Sequence, residues 1–183
     1  MITKGEENFL TSIHTWKHNK STNPVTLEQI KGINVSKFVD VGCGDGFYGK
    51  LMKYVHSDAH LIGVELEPTY ITNWKLEEIY DEIINDDIRN VIEDLHGDLI
   101  VFGDVLEHLE KEHADEVIKI SVNNFSYVII NAPLGFQPQE HKNESEIHRC
   151  GLSKTDFESF DILSYEEIIE NGLMFNCFIK GII

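Results

Sequence analysis

Positive charge is what this sequence has least of. Its 183 residues carry 15 Lys and Arg against 32 Asp and Glu, a formal net charge of −17. A field of that sign repels phosphate backbones and anionic lipid, and no run of Lys and Arg supplies a local exception. Nucleic acid and membrane surfaces are therefore not expected as partners. Cysteine is sparse too: Cys43, Cys150 and Cys177 are odd in number and fall in no metal-type spacing. Nothing at the N-terminus resembles a signal peptide, so a reducing cytoplasm is the simplest setting. No apolar run is long enough to span a bilayer, and a soluble protein is expected. The 42% of hydrophobic residues suffices for one core. We expect a single domain over 1–183, with a helical preamble over 1–35 and an α/β core over 36–183.

Glycine, by contrast, is concentrated where it matters. Phe38 to Leu51 reads FVDVGCGDGFYGKL: a short β-type run ends at Gly42, Gly44 and Gly46, and helical spacing begins with Phe47, Leu51, Met52 and Val55. A buried strand thus turns sharply into a helix whose N-terminus favours an anion. Gly44, Gly46 and Gly49 fit G-x-G-x-x-G, the dinucleotide fingerprint. Asp40, Gly42, Gly44 and Gly46 instead give acid-x-G-x-G-x-G. An acid at the strand tip repels a pyrophosphate but pairs with an ammonium group, and this favours an amino-acid-like ligand. Cys43, inside the loop, is small enough to serve as packing.

Downstream, His60 to Glu65 is a second apolar run. Glu65, followed by Leu66, lies ~20 residues beyond the loop, where doubly wound nucleoside-binding folds place an acid on a ribose diol. A helix is expected from Pro68 to about Tyr80, a strand over Glu82 to Asn85, a helix over Arg89 to Leu95 and a buried strand over Asp98 to Gly103. A helix through Ala114, Val117, Ile118 and Ser121 and a fifth strand over Ser126 to Asn131 follow. Near the N-terminus, Phe9, Leu10, Ile13 and Trp16 or Lys17 share helical spacing, and Asn23 reads as the N-cap of a second helix with Pro24 at its first position.

The glycine loop resembles motif I of the class I S-adenosylmethionine-dependent methyltransferases. The string Asp104 to Leu109 (DVLEHL) after the fourth strand resembles that family's post-strand motif in its small-molecule members. The resemblance implies a doubly wound, Rossmann-like α/β fold. Its seven-stranded sheet is mostly parallel, with an antiparallel C-terminal strand inserted between the fifth and sixth. It implies S-adenosyl-L-methionine as cofactor and methyl transfer to a small-molecule acceptor. The cofactor would be held by Asp40, Gly42, Cys43, Gly44 and Gly46, by Glu65 and Leu66 on the ribose, and by Asp86, Asp87 and Ile88 on the adenine. Gly103, Asp104 and Val105 would border its methionine portion. Asp87 aligns best with the adenine acid and Asp86 is its rival; either could equally be a helix N-cap.

Residues 132–152 (APLGFQPQEHKNESEIHRCGL) have no clear period and leave the ligand-binding edge of the sheet. An acceptor site is expected between this loop and Asp104 to His108. Phe136, His141, His148 and Arg149 are the candidates in the loop, the last two because the family often carries a similar His-Arg pair there. His108 is a possible base or simply a helix start, and the structural role is preferred. His141, His148 and Cys150 match no zinc pattern, so no metal is expected. Ser153 to Asp156 forms a capping box. Two β-rich runs, around Phe160 to Ile169 and Leu173 to Ile182, flank the hairpin signal Asn171-Gly172. A nicotinamide-dependent oxidoreductase and a non-catalytic cofactor-binding or interaction domain remain as alternatives.

Overall fold

The computed structural model describes residues 2–13, 22–141, 143–169 and 173–183. Seven strands form one sheet in the order β3-β2-β1-β4-β5-β7-β6. They are β1 (Lys37–Val41), β2 (His60–Val64), β3 (Glu82–Ile84), β4 (Gly97–Gly103), β5 (Phe125–Pro133), β6 (Asp161–Ile168) and β7 (Met174–Lys180). The first five run parallel, and β7 lies antiparallel between β5 and β6. This is the sheet the sequence led us to expect. Asn171-Gly172, like Trp16 and Lys17, lies outside the described residues.

The helices are α1 (Lys4–Ile13), α2 (Asn23–Lys31), α3 (Phe47–Val55), α4 (Pro68–Trp74), α5 (Ile88–Val91) and α6 (Lys111–Asn124). They cover both faces because β1 and β4 are apolar on both. Along β1, Phe38 packs with Leu27, Leu51 and Met52 on one side, while Val39 and Val41 face Ile118 and Phe102 on the other. That alternation is the period-2 geometry of a strand. Ala114, Val117, Ile118 and Ser121 form the buried stripe of α6.

Three helices differ from expectation. The one beginning at Pro68 breaks at Lys75, whose φ of 52° is left-handed, and resumes as a 3-10 turn over Leu76–Glu78. This break lets Leu76 and Tyr80 pack beneath the glycine loop. The next is Ile88–Val91 followed by a 3-10 turn over Ile92–Asp94. Helix α2 includes Asn23 as its first residue, with Thr22 preceding it. The capping box of Ser153 and Asp156 is present and starts a 3-10 turn, Lys154–Phe157.

A buried polar network ties α2 to the sheet. Asn131 on β5 donates to Thr26 at 3.1 Å and to the Tyr48 hydroxyl at 2.9 Å, and accepts from Asn176 on β7 at 2.9 Å. Gln29 donates to Asn176 at 2.6 Å. Each buried amide finds a partner, which removes the cost of its desolvation. The network also fixes Tyr48, whose ring crosses Gly103 so closely that a Cβ there would lie 2.2 Å from it.

Candidate active site

The carboxyl ends of β1, β2 and β4 open on a cavity of about 620 Å3. Small-molecule sites have this size, and parallel α/β sheets bind ligands at this edge. The glycine loop forms one wall. Gly42, Gly44 and Gly46 have φ of 63°, 49° and 77°, a region open to glycine at no steric cost. A Cβ on Gly42 would lie 2.5 Å from Val105, so the loop can touch the turn after β4 only without one. At Gly44 the nearest atom to such a Cβ is the Gly42 carbonyl at 3.6 Å, because the rest of its surroundings is cavity. Cys43 is buried on this wall, and burial raises its thiol pKa well above the ordinary value. Packing is the role that leaves.

Glu65 lies at the end of β2, directly beside the loop on the cavity wall, and is only 5% exposed. Its two oxygens accept from the Gly44 N–H and the Glu67 N–H, both at 2.9 Å. Burial raises its pKa and those two bonds oppose the rise. Each oxygen keeps a second lone pair for a hydroxyl, so the brace of the glycine loop can also take a diol. Leu66, half exposed, and Ile88, buried, are both on the cavity wall. So are Asp86 and Asp87. Asp87 caps α5 through the Arg89 N–H at 2.9 Å and pairs with the Arg89 guanidinium at 2.9 and 2.6 Å. That side-chain pairing holds its pKa below the usual carboxylate range.

Asp40 is not where a ligand's ammonium group could meet it. Its carboxylate shares the strand face of Phe38, is fully buried behind the loop, and accepts a hydrogen bond from the Tyr80 hydroxyl. It does not line the cavity. Burial pushes its pKa up to about 8, with Asp45 and Glu65 acting in the same sense against the Tyr80 bond. Gly46 likewise turns away into α3.

Beyond the loop, Gly103, Asp104, Val105, Glu107 and His108 form the cavity's far end. Asp104 is held at φ 55°, a left-handed value that only glycine, Asn and Asp visit readily. Its N–H donates to the Asn131 carbonyl at 2.9 Å, and burial raises its pKa to about 7. Burial also lowers the pKa of His108, which favours the neutral imidazole.

The segment after β5 covers this end. It is pinned by the Arg149 and Cys150 N–H groups on the Glu107 carbonyl at 2.7 and 3.1 Å. Across the cavity, Tyr70 donates to Glu146 at 3.2 Å and Asn143 to Glu67 at 3.2 Å. His148 lines the cavity beside His108. Arg149 reaches it too, yet its guanidinium donates to the carbonyls of His108, Ile147 and Glu144 and clamps the cover. Phe136 is 57% exposed and His141 is exposed, and neither lines the cavity. His141, His148 and Cys150 do not converge: the Cys150 thiol donates to the Leu106 carbonyl in the core.

Sequence reasoning missed Asp45, Tyr48, Tyr70, Glu107, Gln137 and Glu146, all on the wall. Tyr48 follows the loop at helical spacing and Glu107 sits inside an apolar string, the two signals that were available. Asp45 stands inside the glycine motif itself, and Tyr70, Gln137 and Glu146 arrive by tertiary contact.

Residues 39–121 match the family model of a methyltransferase domain. TehB from Haemophilus influenzae superposes with a TM-score of 0.71 at 17% identity, over 96% of this chain and 66% of that one. An S-adenosylmethionine-dependent methyltransferase from Clostridium acetobutylicum gives 0.68 at 12% identity, over 96% and 95% of the two chains. An O-methyltransferase family protein from Burkholderia thailandensis gives 0.61 at 11%, over 88% of this chain and 56% of that one. The chain therefore spans less than two thirds of the TehB and Burkholderia chains. No curated protein matches the sequence. Residues 39–121 thus resemble a methyltransferase domain, and the chain has the fold of the S-adenosylmethionine-dependent methyltransferases it superposes on. Among the described residues, no helix is long and apolar enough to cross a membrane.

Proposed function

We propose that this chain is an S-adenosylmethionine-dependent methyltransferase that acts on a small-molecule acceptor. The observation that carries the reading is the cavity itself. Gly44 presents a wall without a side chain, Glu65 offers free lone pairs beside it, and Ile88 and Asp87 line the same cavity. These residues fit S-adenosylmethionine: an apolar edge for the base, an acid for the diol, and bare backbone for the methionine segment.

Bound there, the cofactor supplies an electrophilic methyl group on a sulfonium. Asp45, Glu65, Asp87 and Asp104 surround the cavity with carboxyl groups that suit a cation. Asp104 and Val105 would border the cofactor's methionine portion, and the cover that carries Gln137, His148 and Arg149 would shield the acceptor end from water. The chain's main contribution is orientation: holding a nucleophile in line at near-contact distance is worth up to ~7–11 kcal/mol. The net charge of −17 weighs against a nucleic-acid acceptor.

The test is transfer of label from methyl-labelled cofactor to a panel of small hydroxyl, amine and thiol acceptors. Label on one acceptor class is the expected result. Tight cofactor binding with no transfer to any of them would make this a binding domain, and label appearing only on nucleic acid would overturn the acceptor class.

A further inference from the structure

Among the described residues, three side chains with metal-ligand chemistry converge at the acceptor end: Glu107, His108 and His148. The first two belong to the 3-10 turn Leu106–His108 and the third to the cover after β5. The two imidazole rings meet edge to face with centroids 5.0 Å apart. One donor atom from each residue lies within 4.8 Å of the other two. Ligands ~2.1 Å from a shared zinc at the tetrahedral angle are ~3.4 Å apart, so modest side-chain rotation would close the set.

Glu107 has no other visible purpose. It is 2% exposed, and neither carboxylate oxygen has a hydrogen-bond partner. A buried acid normally has partners, because leaving it unpaired forfeits its hydration without return. The Arg149 guanidinium, on the cover bonded to the Glu107 carbonyl, donates to backbone carbonyls instead.

Both histidines are set to offer a lone pair. His148 Nδ1 lies 2.6 Å from the Gln137 carbonyl, which can only accept, so Nδ1 carries the proton and Nε2 is free to ligate. His108 Nδ1 is buried without a partner, while its ring hydrogen-bonds the Ile147 backbone. Ligating histidines are oriented in this way, with the second ring nitrogen held by a carbonyl. Two imidazoles and one carboxylate suit zinc and other first-row divalent ions, whereas magnesium and calcium prefer all-oxygen sets.

We propose that Glu107, His108 and His148 form a binding site for a divalent transition-metal cation, with Zn2+ as the reference ion, open on one side to the cavity. The site stands on its own geometry and does not depend on which acceptor is methylated.

The experiment uses the full chain, stripped with chelator and desalted, titrated with Zn2+ by calorimetry and with Co2+ by visible absorption. Saturation at one equivalent is expected, with Zn2+ displacing Co2+. His148→Ala and Glu107→Gln should each weaken Zn2+ at least as much as the ~10–100-fold that loss of an outer-shell partner costs. His141→Ala, an exposed histidine, should change nothing. Circular dichroism and S-adenosylhomocysteine binding of the same variants separate loss of the metal from loss of the fold or cavity. No saturable uptake by the wild type, or equal Zn2+ affinity in wild type, His148→Ala and Glu107→Gln, overturns the proposal.

Discussion

Glu65 braces the glycine loop and, on the proposed function, also takes the cofactor's ribose diol, so replacing it should show both. In the structure it accepts from the Gly44 and Glu67 N–H groups at 2.9 Å each, which makes it the brace between the end of β2 and the glycine loop. Hydrogen bonds to a charged group are worth ~1.5–3 kcal/mol each. Burial and the nearby charges of Glu146 and Glu67 already oppose this carboxylate, so Glu65→Ala should cost a net ~1–3 kcal/mol of stability. The same change removes the acceptor for a ribose diol, a further loss of ~1.5–3 kcal/mol in cofactor binding, or ~10–150-fold in Kd. Glu65→Gln keeps one acceptor oxygen but presents an N–H to a second donor, and should fall between wild type and Glu65→Ala on both scales. Urea denaturation reads the first quantity and calorimetry with S-adenosylhomocysteine the second. If stability falls while Kd is unchanged in both variants, Glu65 is only a brace and the diol contact is refuted.

Two further predictions concern the other acids. Unfolded, Asp40 ionises near 3.8, whereas folded it keeps its proton up to about 8. Between those values the native state binds more protons, so stability falls as pH rises, by ~4 kcal/mol at pH 7 from this group. Asp40→Asn should flatten the decline in denaturation midpoint between pH 5 and 8; parallel profiles for the two proteins would show that Asp40 ionises freely in the native state. Asp87→Ala should lower stability by ~1 kcal/mol through the lost cap of α5 and weaken S-adenosylhomocysteine ~10-fold. The more exposed Asp86→Ala should stay within about twofold of wild type, and the opposite ranking in calorimetry would move the adenine contact back by one residue.

The sheet was legible because its strands are short apolar runs punctuated by glycine and acid, and because β1 and β4, buried on both faces, cannot be mistaken for amphipathic helices. Helix ends were less so. The left-handed Lys75 carries no signal of its own; the break after Trp74 is imposed by Leu76 and Tyr80 packing under the glycine loop. Asp40 shows a different gap. Strand parity alone puts it on the face of Phe38 rather than at a ligand, yet its partner Tyr80 comes from another element far along the chain. Glu107 and His148 meet only because the cover after β5 folds back on the turn after β4, pinned by backbone bonds from Arg149 and Cys150. No spacing rule in the sequence encodes that return.

The central claim is that the glycine loop lies against S-adenosylmethionine, and Gly44 is the position where this can be read most directly. Its backbone is left-handed at φ 49°, and the space a side chain would enter is the cavity. Gly44→Val should cost ~1–2 kcal/mol of backbone strain and leave the protein folded. Calorimetry of S-adenosylhomocysteine should give a dissociation constant near micromolar, about −8 kcal/mol, for the wild type, much weaker binding of NAD, and no measurable binding for the folded Gly44→Val variant. Equal affinity in the two proteins, or NAD binding more tightly than S-adenosylhomocysteine, would contradict the account.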